Sequence, residues 1–150
     1  MIEVDEQFEV VAPAGVVWQI LADPYTVVEC VPGAAIVGAN PDGSFNTTLT
    51  VRFGPMRIVF NARAVLELED RTGRLTAHGK DTQRGARFAA TATFGVTEHP
   101  SGSGTLISTH GQVEISGRLA SMIEGGAGIV VKRMSAEFAR CLSARTSAQS

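Results

Sequence analysis

Apolar and polar residues alternate along most of this chain, and then the period changes. Residues 2–11 alternate around Ile2, Val4, Phe8 and Val10, with a break in phase near Asp5, which predicts a strand. "APAGVVWQILAD" predicts a short helix: Pro13 suits a helix start, and Val17, Ile20 and Leu21 form an apolar stripe beside Trp18. "PYTVVECVPG" predicts a second helical piece, stopped by Pro32 and Gly33. From Ala34 to Gly117 turn signals recur: "NPDGS" at 40–44, "FGPM" at 53–56, "DRTG" at 70–73, "DTQRG" at 81–85 and "HPSGSG" at 99–104. Five turns separate six extended runs, which implies consecutive antiparallel hairpins.

Three of those runs keep a strict period of two. Phe45, Thr47, Leu49, Val51 and Phe53 share one face; so do Ile58, Phe60, Ala62, Ala64, Leu66 and Leu68, and Ala86, Phe88, Ala90, Ala92, Phe94 and Val96. The opposite face carries Asn46, Thr48, Thr50 and Arg52, then Arg57, Asn61, Arg63, Glu67 and Glu69, so one face of the sheet is wet. After Gly117 the apolar residues Leu119, Ile123, Val130, Met134, Phe138 and Cys141 recur at helical steps, with Gly126 in the same series. This predicts one amphipathic helix over roughly 118–144, with Glu124, Lys132, Arg133, Glu137 and Arg140 on its polar side. The class is α+β: a curled seven-stranded antiparallel sheet around a long C-terminal helix, with two short helices after the first strand plugging one end. Residues 1–145 form a single domain in this reading, and 146–150 a disordered tail.

The interior of that arrangement is the point of interest. Thr47, Ala62, Ala64, Ala77, Gly79, Ala86, Ala90 and Ala92 face the helix, and all are small. The helix returns Gly125, Gly126, Ala127 and Gly128, although each glycine costs it roughly 1 kcal/mol. Two small surfaces either approach closely and fill the gap or leave a void that a guest occupies. The second reading places an apolar ligand between Phe45, Leu49, Phe60, Ala62, Phe88, Ala90, Ala92 and Phe94 on the sheet and Met122, Ile123, Gly126, Val130 and Met134 on the helix. In this reading the glycines leave room for the guest and loosen the helix as a door. Each methylene taken from water stabilises binding by about 0.8 kcal/mol, so apolar walls suffice for affinity.

Composition narrows the field. A chain of 150 residues with 44% apolar and 19% charged residues is globular and not disordered. A net charge of −2 without basic runs offers no general attraction for nucleic acid or anionic lipid, so no nucleic-acid partner is expected. Cys30 and Cys141 lack any CxxC or Cys/His spacing; they read as two small hydrophobes in a reducing compartment, with no structural zinc. "MIEVDEQFEV" is not a secretory signal, and no run approaches ~18 apolar residues. His78, His99 and His110 fall on different strands or loops and read as outward or solvated, and no HExxH, GxSxG or P-loop occurs. "GGAG" lacks the strand and spacing of a dinucleotide fingerprint. Asp23, Glu29, Asp81 and Arg84 read as capping or surface residues. No catalytic residue, no metal site and no covalent cofactor is expected.

"FEVVAPAGVVWQILADP" followed by "VVECVPGA" resembles the opening of the CoxG family of carbon monoxide dehydrogenase subunits. So do "FGPM", "GRLTAHGKDTQRGARFAATATF", and "GTLISTHGQVEISGRLASM" leading into "KRMSAEFARCL"; the likeness spans about residues 3–142. The resemblance implies the START-like helix-grip fold, which agrees with the architecture above. It also implies an apolar ligand between sheet and helix, such as menaquinone or another isoprenoid quinone, and partnership with a molybdenum carbon monoxide dehydrogenase or related molybdenum hydroxylase. Some members carry a C-terminal hydrophobic anchor. This sequence ends at Ser150 without one, so the expectation is a cytoplasmic carrier with transient, peripheral contact at the inner face of the membrane. The alternatives are a START-like cyclase or hydrolase of a small aromatic substrate, which needs an ionisable group in the pocket, and an assembly factor for a molybdenum hydroxylase.

Overall fold

The computed structural model describes residues 2–81, 83, 85–102, 104–117 and 120–147, without the side chains of 120–125 and 147. The chain runs β1 (Ile2–Val10), α1 (Ala14–Leu21), α2 (Pro24–Glu29), β2 (Ala34–Ala39), β3 (Phe45–Phe53), β4 (Met56–Glu69), β5 (Thr72–Lys80), β6 (Ala86–Glu98), β7 (Thr105–Gly117) and α3 (Ala120–Ser147). All seven strands form one antiparallel sheet in the order β1-β7-β6-β5-β4-β3-β2. The last six strands meander, as their turn signals require. The first strand joins at the far edge, Ile2 opposite Val113 and Val10 opposite Thr105.

β1 corrects the expected break in phase. Ile2, Val4, Glu6, Phe8 and Val10 are all half-buried or buried, and Glu3, Asp5, Gln7 and Glu9 between them are exposed. The alternation is unbroken, and Glu6 occupies an inward slot. The two short helices form where their signals lie. Pro13 precedes α1 at the N-cap position, and Asp23 caps α2 by accepting a hydrogen bond from the Tyr25 N–H at 3.0 Å. Gly33, in the "VPG" step, has φ of +80°, and a Cβ there would collide with the Thr50 carbonyl; the bend into β2 needs a residue without a side chain.

α3 lies against β1, β7 and β3, the flanks of the curled sheet. It divides the interior into two cores. Its C-terminal half sets Phe138, Cys141 and Leu142 among Val10, Val17, Leu21, Val27, Phe94 and Ile107. Val17, Leu21, Ile107 and Leu142 are essentially inaccessible to water, and each such side chain stabilises by about 1.5–3 kcal/mol. The N-terminal half sets Val130 and Met134 against Val51, Ile58, Phe60 and Phe88. α3 continues past the expected end at 144: Thr146 is buried and donates to the Leu142 carbonyl at 2.7 Å, so it belongs to the helix and not to a tail. Leu119 and residues 148–150 lie outside the described residues.

The cysteines overturn their sequence reading. Cys30, at the C-cap of α2, and Cys141, on α3, form a disulfide with 5.3 Å between their Cα atoms. Neither spacing nor motif marks the pair, because the two cysteines are 111 positions apart in the sequence, with the six strands β2–β7 between them. Arg145 adds an ion pair to Glu29 at 3.1 Å on the same two elements. Closing a loop of this length stabilises by about 4–5 kcal/mol in the chain-entropy description. Urea unfolding of the oxidised chain and of the Cys30→Ser/Cys141→Ser variant is therefore expected to differ by about that amount; coincident midpoints, or two titratable thiols in freshly purified protein, would refute the bridge.

Candidate ligand-binding site

The seven-stranded curl and its helix enclose a cavity of about 220 Å³. Its floor is the middle of the sheet: Phe60, Ala62 and Ala64 from β4, Leu75 and Ala77 from β5, Phe88, Ala90 and Ala92 from β6. Registers explain why the floor is low. Ala62 pairs with Gly79, Ala64 with Ala77, Ala77 with Ala90 and Leu75 with Ala92, so small residues lie side by side across three strands. The walls are larger. Leu49, Val51 and Phe53 come from β3, Val113 and Ile115 from β7, and Val28 and Val31 from the end of α2 and the turn after it. The roof is Val130, Val131, Met134, Ser135 and Phe138 of α3.

Two glycines set the lie of inward phenyl rings, one at the cavity and one in the other core. Gly79 lies opposite Phe88 and Gly73 opposite Phe94, and at both a Cβ would run into the facing ring. Each phenyl therefore lies down over its glycine instead of standing upright into the interior. Phe88 also meets Phe60 edge-on, at 5.0 Å and 85°, which fixes both rings at the cavity's edge.

Polar groups on this lining are few. Thr47 is 7% exposed and its hydroxyl donates to the Ala62 carbonyl at 3.4 Å; Thr109 donates to the Glu6 carbonyl at 3.5 Å. Ser135 brings a third hydroxyl, from α3. Thr91, His110 and Gln112 border the cavity from the outward phase of their strands. His110 engages Asp5 at 2.6 Å through Nδ1, and Gln112 donates to Glu3 at 3.1 Å, both on the other side of the sheet. His110 is the one ionisable residue on the border among the described residues. Glu6, the charge with inward phase, is not part of the lining.

The remaining titratable candidates lie elsewhere. The Ser101 N–H donates to His99 Nδ1 at 3.1 Å, so Nε2–H is left to donate to Glu9 at 2.6 Å; this ties a hairpin to β1. His78 is exposed on the outer face. Asp23 caps α2, Glu29 meets Arg145, and the buried Asp81 accepts from the Gln83 N–H at 3.0 Å. Arg84 lies outside the described residues. A broader hollow of about 930 Å³ lies at Asp5, Glu67, Glu69, Arg74 and His110, which are outer-face residues. It is wide, open to water and bordered by four carboxylates and one guanidinium, so it is not an enclosed apolar site.

Of the positions expected from sequence, Leu49, Phe60, Ala62, Phe88, Ala90, Ala92, Val130 and Met134 border the cavity. Phe45 does not: it faces inward but meets Tyr25 at 6.0 Å, near α2. Phe94 is also elsewhere, held against Trp18 at 6.4 Å in the other core. Gly126 is exposed, and a Cβ there would meet nothing within 4 Å, so it does not make room for a guest. The side chains of Met122 and Ile123 lie outside the described residues. Phe138, which the sequence also points to as a wall residue, does line the cavity; Val28 and Val31 were not legible as lining. They reach the cavity because the α2–α3 contact, closed by the disulfide, brings two remote segments together.

A helix gripped by a curled sheet is a shape shared with known proteins. The model of the carbon monoxide dehydrogenase family CoxG matches residues 7–147. The chain belongs to that family. No curated protein matches it. Among solved structures, a conserved protein from Geobacillus kaustophilus superposes with a TM-score of 0.76 at 15% identity, covering 97% of this chain and 95% of that one. A START superfamily protein from Mycobacterium smegmatis superposes at 0.60, with 16% identity and 99% of each chain covered. The Zhui aromatase/cyclase from a Streptomyces species superposes at 0.63, with 18% identity, over 96% and 92% of the chains. At these identities the structural likeness establishes the START-like fold.

Two substitutions separate cavity from helix. Gly126→Ala is expected to raise stability by up to about 1 kcal/mol, because it adds helix propensity at an exposed site; a loss in thermal or urea unfolding would contradict that placement. Gly79→Ala is expected to cost about 1–3 kcal/mol, because it lifts the Phe88 ring into the cavity; an unchanged unfolding midpoint would contradict it.

Proposed function

We propose that this member of the CoxG family is a non-catalytic binding protein for a hydrophobic molecule, an isoprenoid quinone such as menaquinone, held between sheet and α3. In this reading it is the accessory carrier that links a molybdenum carbon monoxide dehydrogenase-type enzyme to the quinone of the membrane, which it visits as a peripheral protein. The observation that carries the reading is the cavity's chemistry: alanines below, methyl groups and phenyl rings around, and neutral hydroxyls as its inward polar groups. Such a lining suits a neutral, largely apolar ring and gives nothing to a charged ligand. The family match supplies the partner class. The cyclase alternative needs an acid or base at the substrate, and the lining provides no inward ionisable side chain among the described residues.

Size sets a further condition. Pockets for drug-sized ligands span about 300–1,000 Å³, and this one holds about 220 Å³. It takes a ring system. A polyisoprenoid chain requires α3 to move outward or the tail to leave along the helix. The part of α3 free to move is the N-terminal half, since Cys141 and Arg145 tie the other half to α2. The disulfide also removes the free-thiol argument for a reducing compartment.

Native mass spectrometry and organic extraction of the freshly purified chain test the proposal. The expected result is one isoprenoid quinone per chain, and uptake of the same molecule by emptied protein from loaded liposomes. Recovery of no lipid together with no uptake would remove it.

A further inference from the structure

Among the described residues three hydroxyls meet the cavity from inward positions, those of Thr47, Thr109 and Ser135. Two of them are already engaged. Thr47 donates to the Ala62 carbonyl at 3.4 Å and Thr109 to the Glu6 carbonyl at 3.5 Å. Both protons are directed at strand backbone and away from a guest.

Ser135 is different. It follows Val131 by four residues and precedes Phe138 by three, so the three share one face of α3. That face roofs the cavity. Ser135 is half-buried, and among the described residues its hydroxyl has no hydrogen-bond partner. A serine inside a helix commonly turns its hydroxyl back to the carbonyl one turn earlier. Thr146 does so on this same helix, donating to the Leu142 and Ser143 carbonyls at 2.7 and 3.2 Å. Ser135 makes no such bond to Val131 or Lys132.

Its surroundings raise the worth of that one group. Met134, Val131 and Phe138 lie about it on the roof, and alanines form the floor below. A hydrogen bond made among such side chains, away from water, is stronger than one made at the surface. Alanine at 135 would favour the helix more and leave the roof wholly apolar. The serine therefore costs the fold something, and what it offers in return is a hydroxyl that no protein group uses.

We infer that Ser135 orients the guest by hydrogen-bonding one oxygen of an otherwise apolar ring. The inference rests on the proposed function, which puts a neutral molecule in this cavity, and adds which end of that molecule is held and by what. Phe138 packs in the larger core, and Cys141 one turn further on is bonded to α2. The oxygen is thus held toward the anchored half of α3. The apolar remainder of the guest points toward Val130, where the helix is less tied and a long tail has its way out.

Equilibrium binding of menadione and of 2-methylnaphthalene, the same carbon skeleton without oxygen, tests the inference. Ser135→Ala is expected to weaken menadione about fivefold and to leave 2-methylnaphthalene unchanged. In the infrared spectrum, one carbonyl stretch of menadione bound to the full chain should be lowered, and Ser135→Ala should restore it. Circular dichroism checks that the variant is folded. An equal loss for both probes, no loss for menadione, or a carbonyl stretch indifferent to the substitution overturns the assignment of Ser135 and leaves the apolar cavity standing. Uptake of neither probe by the full chain overturns the cavity reading and this inference with it. The predicted probe pattern, found in protein from which no isoprenoid quinone is extracted, upholds Ser135 and counts against quinone carriage alone.

Discussion

The structure depends on the distance between α3 and the centre of the sheet. The helix rests on the flanks of the curl, on β1, β7 and β3, and is carried there by large side chains such as Phe53, Phe138 and Met134. Beneath it the cross-strand rows are Ala62–Gly79, Ala64–Ala77–Ala90 and Leu75–Ala92. Side chains this short do not bridge to a helix held at that height. Residual cavity volume costs roughly 24 cal/mol per Å³, so a hollow of about 220 Å³ forgoes on the order of 5 kcal/mol. That is a large share of the stability of an ordinary domain. A sequence selected for stability alone would place leucine at Ala77 or Ala90.

The disulfide answers part of that deficit. Its loop-closure contribution, about 4–5 kcal/mol, is close to what the hollow forgoes. It joins α2 and α3 beside the cavity, where Val28 and Val31 on one side of Cys30 face Phe138 one turn before Cys141. One end of the helix is thereby pinned by a covalent bond, an ion pair and the larger core. The other end packs on the smaller core and contains three glycines, two of which, Gly126 and Gly128, have open space where a side chain would be. Neither Gly126 nor Gly128 is needed for the volume of the cavity.

Much of this was readable from period alone. Alternation over 45–53, 58–68 and 86–96 located the inward residues of β3, β4 and β6 correctly, and with them most of the floor. What period does not carry is depth along the strand. Phe45 and Phe94 have the right phase but sit toward the α1 and α2 end, where Tyr25 and Trp18 cover them. Contacts made by the curl itself were also hidden: the Cys30–Cys141 bond, and the capture of Val28 and Val31, arise only when the two ends of the chain meet.

The central claim is that apolar volume persists between sheet and helix when no guest fills it. Xenon enters dry cavities lined by apolar side chains and marks them by its electron density. A crystal of the guest-free protein held under xenon pressure should show a xenon site between Ala77, Ala90 and Met134. Absence of xenon, with Phe88 and Met134 folded inward to occupy that space, would contradict the account.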